Sequence, residues 1–280
     1  MVIFSILSIA PMTDLALPDW VALFPDRDFR FSFGARAGDA ARFFGPTDEH
    51  EELLAERRRW IAKTPKVCLL SEPAADAMIE EACELALEWG TTGERPDGLE
   101  GLGEAWEADF VLLDENDEGR FVMRAGVVCF PSAWSPETKM GLPVHEIHAP
   151  VPTLNRDLGE RIDKFLAAIK PGAAWERNNW GLSRSPERNQ HPARDIPRLV
   201  PPFTAEESWV RSEDQILVRL PKTNGLLFGI RIVNISLAEI NEYPSAAAGL
   251  HRAIATMPED VAEYKNVTQA REHLLTILRD

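Results

Sequence analysis

Helically spaced and alternating apolar positions divide the chain into a mainly helical first part and a strand-rich remainder. In the first ninety residues, helical spacing covers residues 48–63 and 71–90, with Asp48 and Ser71 as the predicted N-caps. Residues 91–103 are rich in glycine, but their glycine order reverses the dinucleotide-binding fingerprint and follows a helix. We therefore interpret residues 91–103 as a connector.

The later part of the chain mixes strand and helix patterns. The predicted elements are strands at 108–113, 120–130 and 173–183, a helix at 158–170, and closing helices at 245–256 and 267–278. This mixture, with antiparallel hairpins, predicts an α+β fold in which helices surround an antiparallel sheet. No composition shift marks a domain boundary, so we expect one domain over residues 1–280. Residues 1–11 are interpreted as an edge strand or an upstream extension.

The clearest hairpin pairs residues 208–221 with residues 226–236. A five-residue loop would place Gln215 opposite Arg231, whereas a two-residue turn would place Val218 there. One face of the first strand is mostly polar, and its members are Trp209, Arg211, Glu213, Gln215, Leu217 and Arg219. Such a face meets solvent, a pocket or a partner, and solvent is the commonest of the three.

Residues 130–152 contain five prolines and two of the six histidines, His145 and His148. Proline restricts its own backbone and that of the preceding residue, so this segment is typical of a rigid loop that presents a side chain. The prolines leave room for only about two helical turns, which gives a two-histidine metal site weak support. On the residues alone, His148 is either a half-buried structural histidine or a ligand.

Composition restricts the partners and the compartment. With 30 Lys and Arg against 45 Asp and Glu, the net charge is −15, which disfavours nucleic acid and anionic membranes. The three cysteines form no C-x-x-C pair, so we expect neither a disulfide framework nor an iron–sulfur site. No membrane-spanning or signal segment is apparent, and we expect a cytoplasmic protein.

Five segments are distinctive in combination, namely FPSAWSPETKMG, IHAPVP, RNNW, RSEDQILVRLP and LLFGIRIVN. Their order and spacing resemble the family of haem-dependent oxidative N-demethylase α-subunits of the dimethylamine monooxygenase type. The resemblance implies a PAS-like α+β domain that holds haem b between its sheet and the surrounding helices and loops. It implies O₂-dependent removal of a methyl group from a small, dimethylamine-like amine, with release of formaldehyde. It also implies partner reductase subunits with flavin and iron–sulfur centres, and no flavin, nicotinamide or iron–sulfur site in this chain.

The resemblance also implies roles for individual residues. His148 in IHAPVP corresponds to the proximal haem ligand, and His145 is the second choice. The candidates for propionate pairing or pocket lining are Arg177, Asn179, Trp180 and Arg231. Arginine suits this role because its guanidinium binds a carboxylate through two hydrogen bonds.

The candidate catalytic residues are Arg211, Glu213 and Gln215, which match a family pattern R-x-E-R-Q. Asp214 stands where that pattern has its second arginine, which puts the identity of the substrate in doubt. Two other functions remain open, a haem-binding PAS-like sensor and a non-catalytic binding protein of the same fold. A sensor would adjoin a signalling output, and no coiled-coil heptads are present.

Overall fold

The computed structural model describes residues 19–30 and 34–278, so the alternatives for residues 1–11 lie outside the described residues. The strands are β1 (Arg36–Ala37), β2 (Leu69–Ser71), β3 (Asp109–Glu115), β4 (Phe121–Val127), β5 (Ala174–Ser183), β6 (Trp209–Arg219) and β7 (Leu226–Ser236). Within the described ranges these seven strands form one sheet in the order β1-β5-β6-β7-β3-β4-β2. Every neighbouring pair is antiparallel, which confirms the predicted α+β class.

The helices before the central strands are α1 (Trp20–Leu23), α2 (Ala40–Phe44), α3 (His50–Lys63), α4 (Pro65–Cys68), α5 (Asp76–Glu88) and α6 (Gly98–Ala105). The later helices are α7 (Val144–Ile147), α8 (Glu160–Ala168), α9 (Leu237–Asn241), α10 (Pro244–Thr256), α11 (Glu259–Tyr264) and α12 (Arg271–Ile277). A π-helical turn at Asn155–Gly159 leads into α8. None of the described helices is both long enough and apolar enough to cross a bilayer.

Several predicted helix boundaries are wrong. Helix α3 starts two residues after Asp48, and its N-cap Glu49 makes no side-chain cap hydrogen bond. Ser71 ends β2 instead of capping α5. The predicted connector contains α6, because Leu102 becomes fully buried in the core. Helix α11 was not predicted, although Pro258 followed by two acidic residues is a helix-start signal.

The two faces of the sheet bury different sets of side chains. One face packs against α3, α5 and α6, and its cluster includes Phe110, Leu112, Ile216, Val218, Trp60, Met78 and Trp106. The other face packs against α8, and its cluster includes Val111, Leu113, Met123, Leu217, Phe228, Ile162 and Leu166. A third cluster joins α9, α10, α11 and α12 to Trp20, Phe24 and Val210. Alternation along the strands therefore assigns most strand residues to the α3 face or to the α8 face. In β4 a register shift interrupts it, so that Met123 lies on the α8 face and Ala125 on the α3 face.

The β6–β7 hairpin forms, but neither predicted register is right. Arg219 pairs with Leu226, and Asp214 lies opposite Arg231. Leu220 N donates to Gly225 O at 2.9 Å, so the pairing continues past the strand ends and residues 221–224 form the turn. The carboxylate of Glu81 in α5 accepts hydrogen bonds from Lys222 N at 2.6 Å and Thr223 N at 2.8 Å in this turn. A tertiary contact from another helix thus shapes the turn.

Candidate functional site

A cavity of about 590 Å³ lies between the α8 face of the sheet and the segment from Phe130 to Leu166. Its wall is mostly apolar, and this part includes Val111, Leu113, Met123, Trp134, Ile147, Leu154, Leu158, Ile162, Leu217 and Phe228. Its polar lining includes His148, Arg177, Asn179, Glu213, Gln215 and Lys265. A mainly apolar cavity with a few convergent polar groups is typical of a small-molecule or cofactor site.

The start of the proline-rich loop is held by a buried ion pair. The carboxylate of Asp109 accepts hydrogen bonds from the backbone N–H groups of Cys129 and Phe130, each at 2.8 Å. The same carboxylate lies 2.6 Å from Nη1 of Arg57, and both side chains are at most 1% exposed. These contacts fix the direction in which the loop leaves β4 and passes over the cavity on the α8 face.

Arg211 gives a second attachment to the same loop. Its guanidinium donates to Phe130 O and to Ser132 Oγ, both at 2.7 Å, and to Glu187 O at 3.3 Å. Burial lowers the pKa of Arg211 to about 10, so the side chain remains charged at neutral pH. Arg211 thus joins the loop to the segment around Glu187, and it is absent from the cavity lining. The contacts of Arg211 position the loop, and its catalytic role stays a prediction.

His148 lines the cavity from the C-terminal end of α7, where its backbone N–H donates to Val144 O at 3.0 Å. Its ring atom Nδ1 is buried and has no hydrogen-bond partner among the described residues. Burial, assisted by the charge of Arg177, lowers the pKa of His148 from 6.5 to about 4. The imidazole is therefore neutral at physiological pH and keeps a lone pair available for a ligand.

His145 lies apart from the cavity lining. Its Nδ1 accepts a hydrogen bond from Nη1 of Arg120 at 2.8 Å, and its carbonyl accepts one from Asn155 at 2.7 Å. The short helix α7 turns the two histidines to different surroundings. Of the pair, His148 alone lines the cavity.

The polar end of the cavity is built on β5 and β6. Oε2 of Glu213 accepts hydrogen bonds from Asn179 Nδ2 at 3.1 Å and from Gln215 Nε2 at 2.9 Å. Among the described residues, Oε1 of Glu213 accepts none. Burial lowers the pKa of Arg177 and lowers that of Lys265 to about 8, and the charge of Glu213 opposes both shifts. The charge of Glu213 therefore acts on both cations at this end of the cavity.

Two predicted cofactor-binding residues lie on the opposite side of the sheet. Arg231 pairs with the buried carboxylate of Glu107, and its guanidinium lies 5.6 Å from the ring centroid of Phe43. Trp180 packs edge-to-face on Phe24, with ring centroids 5.3 Å apart. Both side chains are one residue out of phase with those of the same strands that line the cavity, and neither belongs to its lining.

Comparison with known families agrees with this geometry. Residues 90–275 match the model of the family described as haem-dependent oxidative N-demethylase, alpha subunit-like. The chain belongs to this family. The match covers more than half of the sequence and confirms the resemblance drawn from the five segments. The family description supports haem dependence, an oxidative N-demethylase-like function and an assembly with other subunits.

Asp214 carries the chain's departure from the family pattern R-x-E-R-Q. Its carboxylate accepts a hydrogen bond from Asn178 Nδ2 and one from Ser212 Oγ at 3.3 Å. It faces Arg231 across the hairpin, on the α3 face of the sheet. Asp214 is therefore not one of the residues that line the cavity, and its effect on the choice of substrate stays a prediction.

The cavity suits the haem that the family description implies. Haem needs an apolar slot, an axial ligand and cations for its carboxylates. The apolar wall supplies the slot, and the partnerless Nδ1 of His148 marks an imidazole that is available to iron. Arg177 and Lys265 line the same cavity. These residues could hold haem, although the sequence pattern indicated only His148 and Arg177 among them.

Lys265 is the cavity residue that sequence reasoning missed. It directly follows α11, whose last residue Tyr264 also lines the cavity. Nζ of Lys265 donates to Trp180 O at 2.7 Å and lies 5.1 Å from the ring centroid of Trp180. Because α11 was not predicted, nothing in the sequence pattern placed this lysine near β5.

The lowered pKa of Lys265 predicts a pH dependence of stability. Between about pH 8 and 10.5 the unfolded chain binds a proton that the folded chain has released, so stability rises with pH across this range. Between about pH 7.5 and about pH 10, we expect the free energy of unfolding of the haem-free wild-type protein to rise. The rise should exceed that of Lys265→Met by on the order of 2 kcal/mol. Urea titrations at about pH 7.5 and about pH 10 measure this gain, and parallel changes in the two proteins would contradict it.

Proposed function

We propose that the chain binds haem b in the cavity, with His148 as the protein ligand of the iron. We further propose that it oxidatively N-demethylates a small methylated amine. The main support is that the neutral imidazole of His148 and the carboxylate of Glu213 line the same mainly apolar cavity. Among the described residues, neither Nδ1 of His148 nor Oε1 of Glu213 has a hydrogen-bond partner. The family description supports the reaction class.

Glu213 is the residue we assign to amine recognition. A methylated amine is largely an ammonium ion at neutral pH, and it needs a hydrogen-bond acceptor that carries negative charge. Asn179 and Gln215 both donate to Oε2, so Oε1 is the oxygen that we assign to the ammonium ion. These two amides fix the orientation of the carboxylate, so the N–H of the amine would be held at one position in the cavity.

The apolar wall contributes by excluding water. Side chains such as Met123, Leu217 and Phe228 surround the methyl groups of a small amine without offering hydrogen bonds. Exclusion of water also strengthens the attraction between Glu213 and the ammonium ion. When bound, haem would supply the activation of O₂, with electrons from a partner subunit that carries flavin and iron–sulfur centres.

The test of amine recognition uses two neighbouring acids on opposite faces of β6. Glu213→Gln is expected to weaken the amine-induced change in the haem absorption spectrum by roughly tenfold or more, as expected for loss of a charged hydrogen bond. Asp214→Asn removes the same charge on the α3 face and is expected to leave the response unchanged. The measurement is a spectral titration with dimethylamine and with larger N-methylated amines.

Several outcomes would contradict the proposal. A colourless protein after haem loading would exclude the cofactor, and a spectral response to neutral or anionic compounds alone would exclude the amine. Binding of amine with no formaldehyde formed, even with a competent electron donor, would favour the sensor or the binding protein. Repeated turnover by this chain with NADPH and no added reductase would contradict the partner subunits.

A further inference from the structure

Lys265 is a cation in the lining of the cavity. Nζ donates to the backbone carbonyl of Trp180 at 2.7 Å and lies over the ring of the same residue. No carboxylate of the described residues forms an ion pair with it. A half-buried ammonium ion in this situation is costly, because desolvation disfavours its charged form.

The electrostatics of the cavity favour a further anion. The charge of Glu213 acts on Lys265, but Oε2 of this carboxylate already accepts hydrogen bonds from Asn179 and Gln215. Asp109, which also lines the cavity, is already paired with Arg57. The cavity lining contains two further cations, Lys139 and Arg177. A ligand that brings a carboxylate to this end would pair with Lys265 and leave Oε1 of Glu213 for a cationic substrate.

We infer that Lys265 binds a propionate carboxylate of haem, a role for which the family resemblance made Arg231 one of the candidates. The inference rests on the proposed function, because it requires haem in the cavity. Its geometric basis is that Lys265 lines the cavity, whereas Arg231 lies across the sheet and is neutralised by Glu107. Trp180, also expected at the cofactor, contributes through its backbone carbonyl, which orients the lysine.

The experiment compares iron protoporphyrin IX with its dimethyl ester, whose propionate groups carry no charge. The wild-type protein is expected to bind the free acid roughly tenfold or more tightly than the ester. In Lys265→Met this preference is expected to fall about tenfold, while binding of the ester stays unchanged. Binding is measured by spectral titration and by the rate of haem loss to a scavenger protein.

Two further variants control the comparison. Lys66→Met removes a charge from an exposed position of α4 and is expected to keep the wild-type preference. Lys265→Arg retains the charge and is expected to keep most of the preference for the free acid over the ester. Circular dichroism of each variant checks the fold, and the wild-type comparison of the two porphyrins needs no substitution at all.

The outcomes separate this inference from the proposed function. If neither porphyrin binds the wild-type protein, the proposed function fails and the inference fails with it. If both bind and Lys265→Met keeps the full preference for the free acid, the inference alone is overturned. An equal loss of preference in Lys66→Met would also overturn it, because the effect would then be one of net charge.

Discussion

His148→Ala is expected to abolish the haem absorption band of the loaded protein, or to alter it strongly, without unfolding the chain. Loss of an outer-shell group near a metal typically costs about 10- to 100-fold in affinity, and loss of the ligand itself should exceed that. The fold should tolerate the change, because Nδ1 makes no hydrogen bond that the alanine would lose. The measurements are the Soret spectrum after haem loading and circular dichroism of the haem-free protein.

His145→Ala is the matched control for this prediction. It removes an imidazole from the same short helix, but one that interacts with Arg120 outside the cavity. We expect its haem spectrum to match that of the wild-type protein. Equal effects of the two substitutions, or a normal spectrum for His148→Ala, would show that His148 is not the ligand.

Asp109→Ala is expected to destabilise the protein by about 3–5 kcal/mol, the range typical when one partner of a buried ion pair is removed. The substitution leaves the charge of Arg57 fully buried and removes the acceptor of two backbone N–H groups. Arg57 retains its hydrogen bond to Gly103 O at 2.9 Å, which compensates only in part. Urea denaturation of the haem-free protein measures the loss.

The double variant Arg57→Met with Asp109→Leu separates charge burial from loss of structure. Replacing both partners by apolar side chains removes the uncompensated charge, so we expect the double variant to be more stable than Asp109→Ala. The double variant still lacks the acceptor that holds Cys129 and Phe130. We therefore expect it to bind haem more weakly than the wild-type protein. A cost below about 1 kcal/mol for Asp109→Ala would contradict the structural role of this pair.

The family match also bears on the two alternatives to an enzyme. A sensor or a binding protein could use the same haem cavity, because function depends on the site and not on the fold. Glu213 does not distinguish them, since a fixed carboxylate facing an apolar cavity is suited to a cationic ligand in all three cases. Formation of formaldehyde with a competent electron donor therefore discriminates the enzyme from both alternatives, whereas haem binding and amine binding do not.

Local patterns in the sequence were sufficient to predict most of the strands and the position of the proline-rich loop. The alternation in residues 173–183 and the two arms of the β6–β7 hairpin predicted strands that the structure confirms almost to the residue. Helix α6 was missed because glycines lower intrinsic helix propensity, while burial of Leu102 against the core supplies what propensity lacks. Helix α11 was missed because it has only six residues.

The positions of the site residues depended on contacts that are distant in sequence. Whether Glu213 or Asp214 faces the cavity follows from alternation and from which face α8 covers, and the sequence pattern left that choice open. The partner of Arg231 depended on the hairpin register, and Glu81 of α5 binds the turn that belongs to this register. A shift of one residue in register changes every cross-strand neighbour, so a local pattern cannot decide it.

By itself, the sequence determined the α+β class, the family and the loop that carries His148, because periodicity, proline content and short motifs are local properties. The tertiary structure alone decided that His148 and not His145 meets the cavity, and that Arg231 and Trp180 do not. It also brought Lys265 from the end of α11 to the backbone of Trp180, 85 residues away in the chain. Such contacts arise from packing between elements, and no local pattern records them.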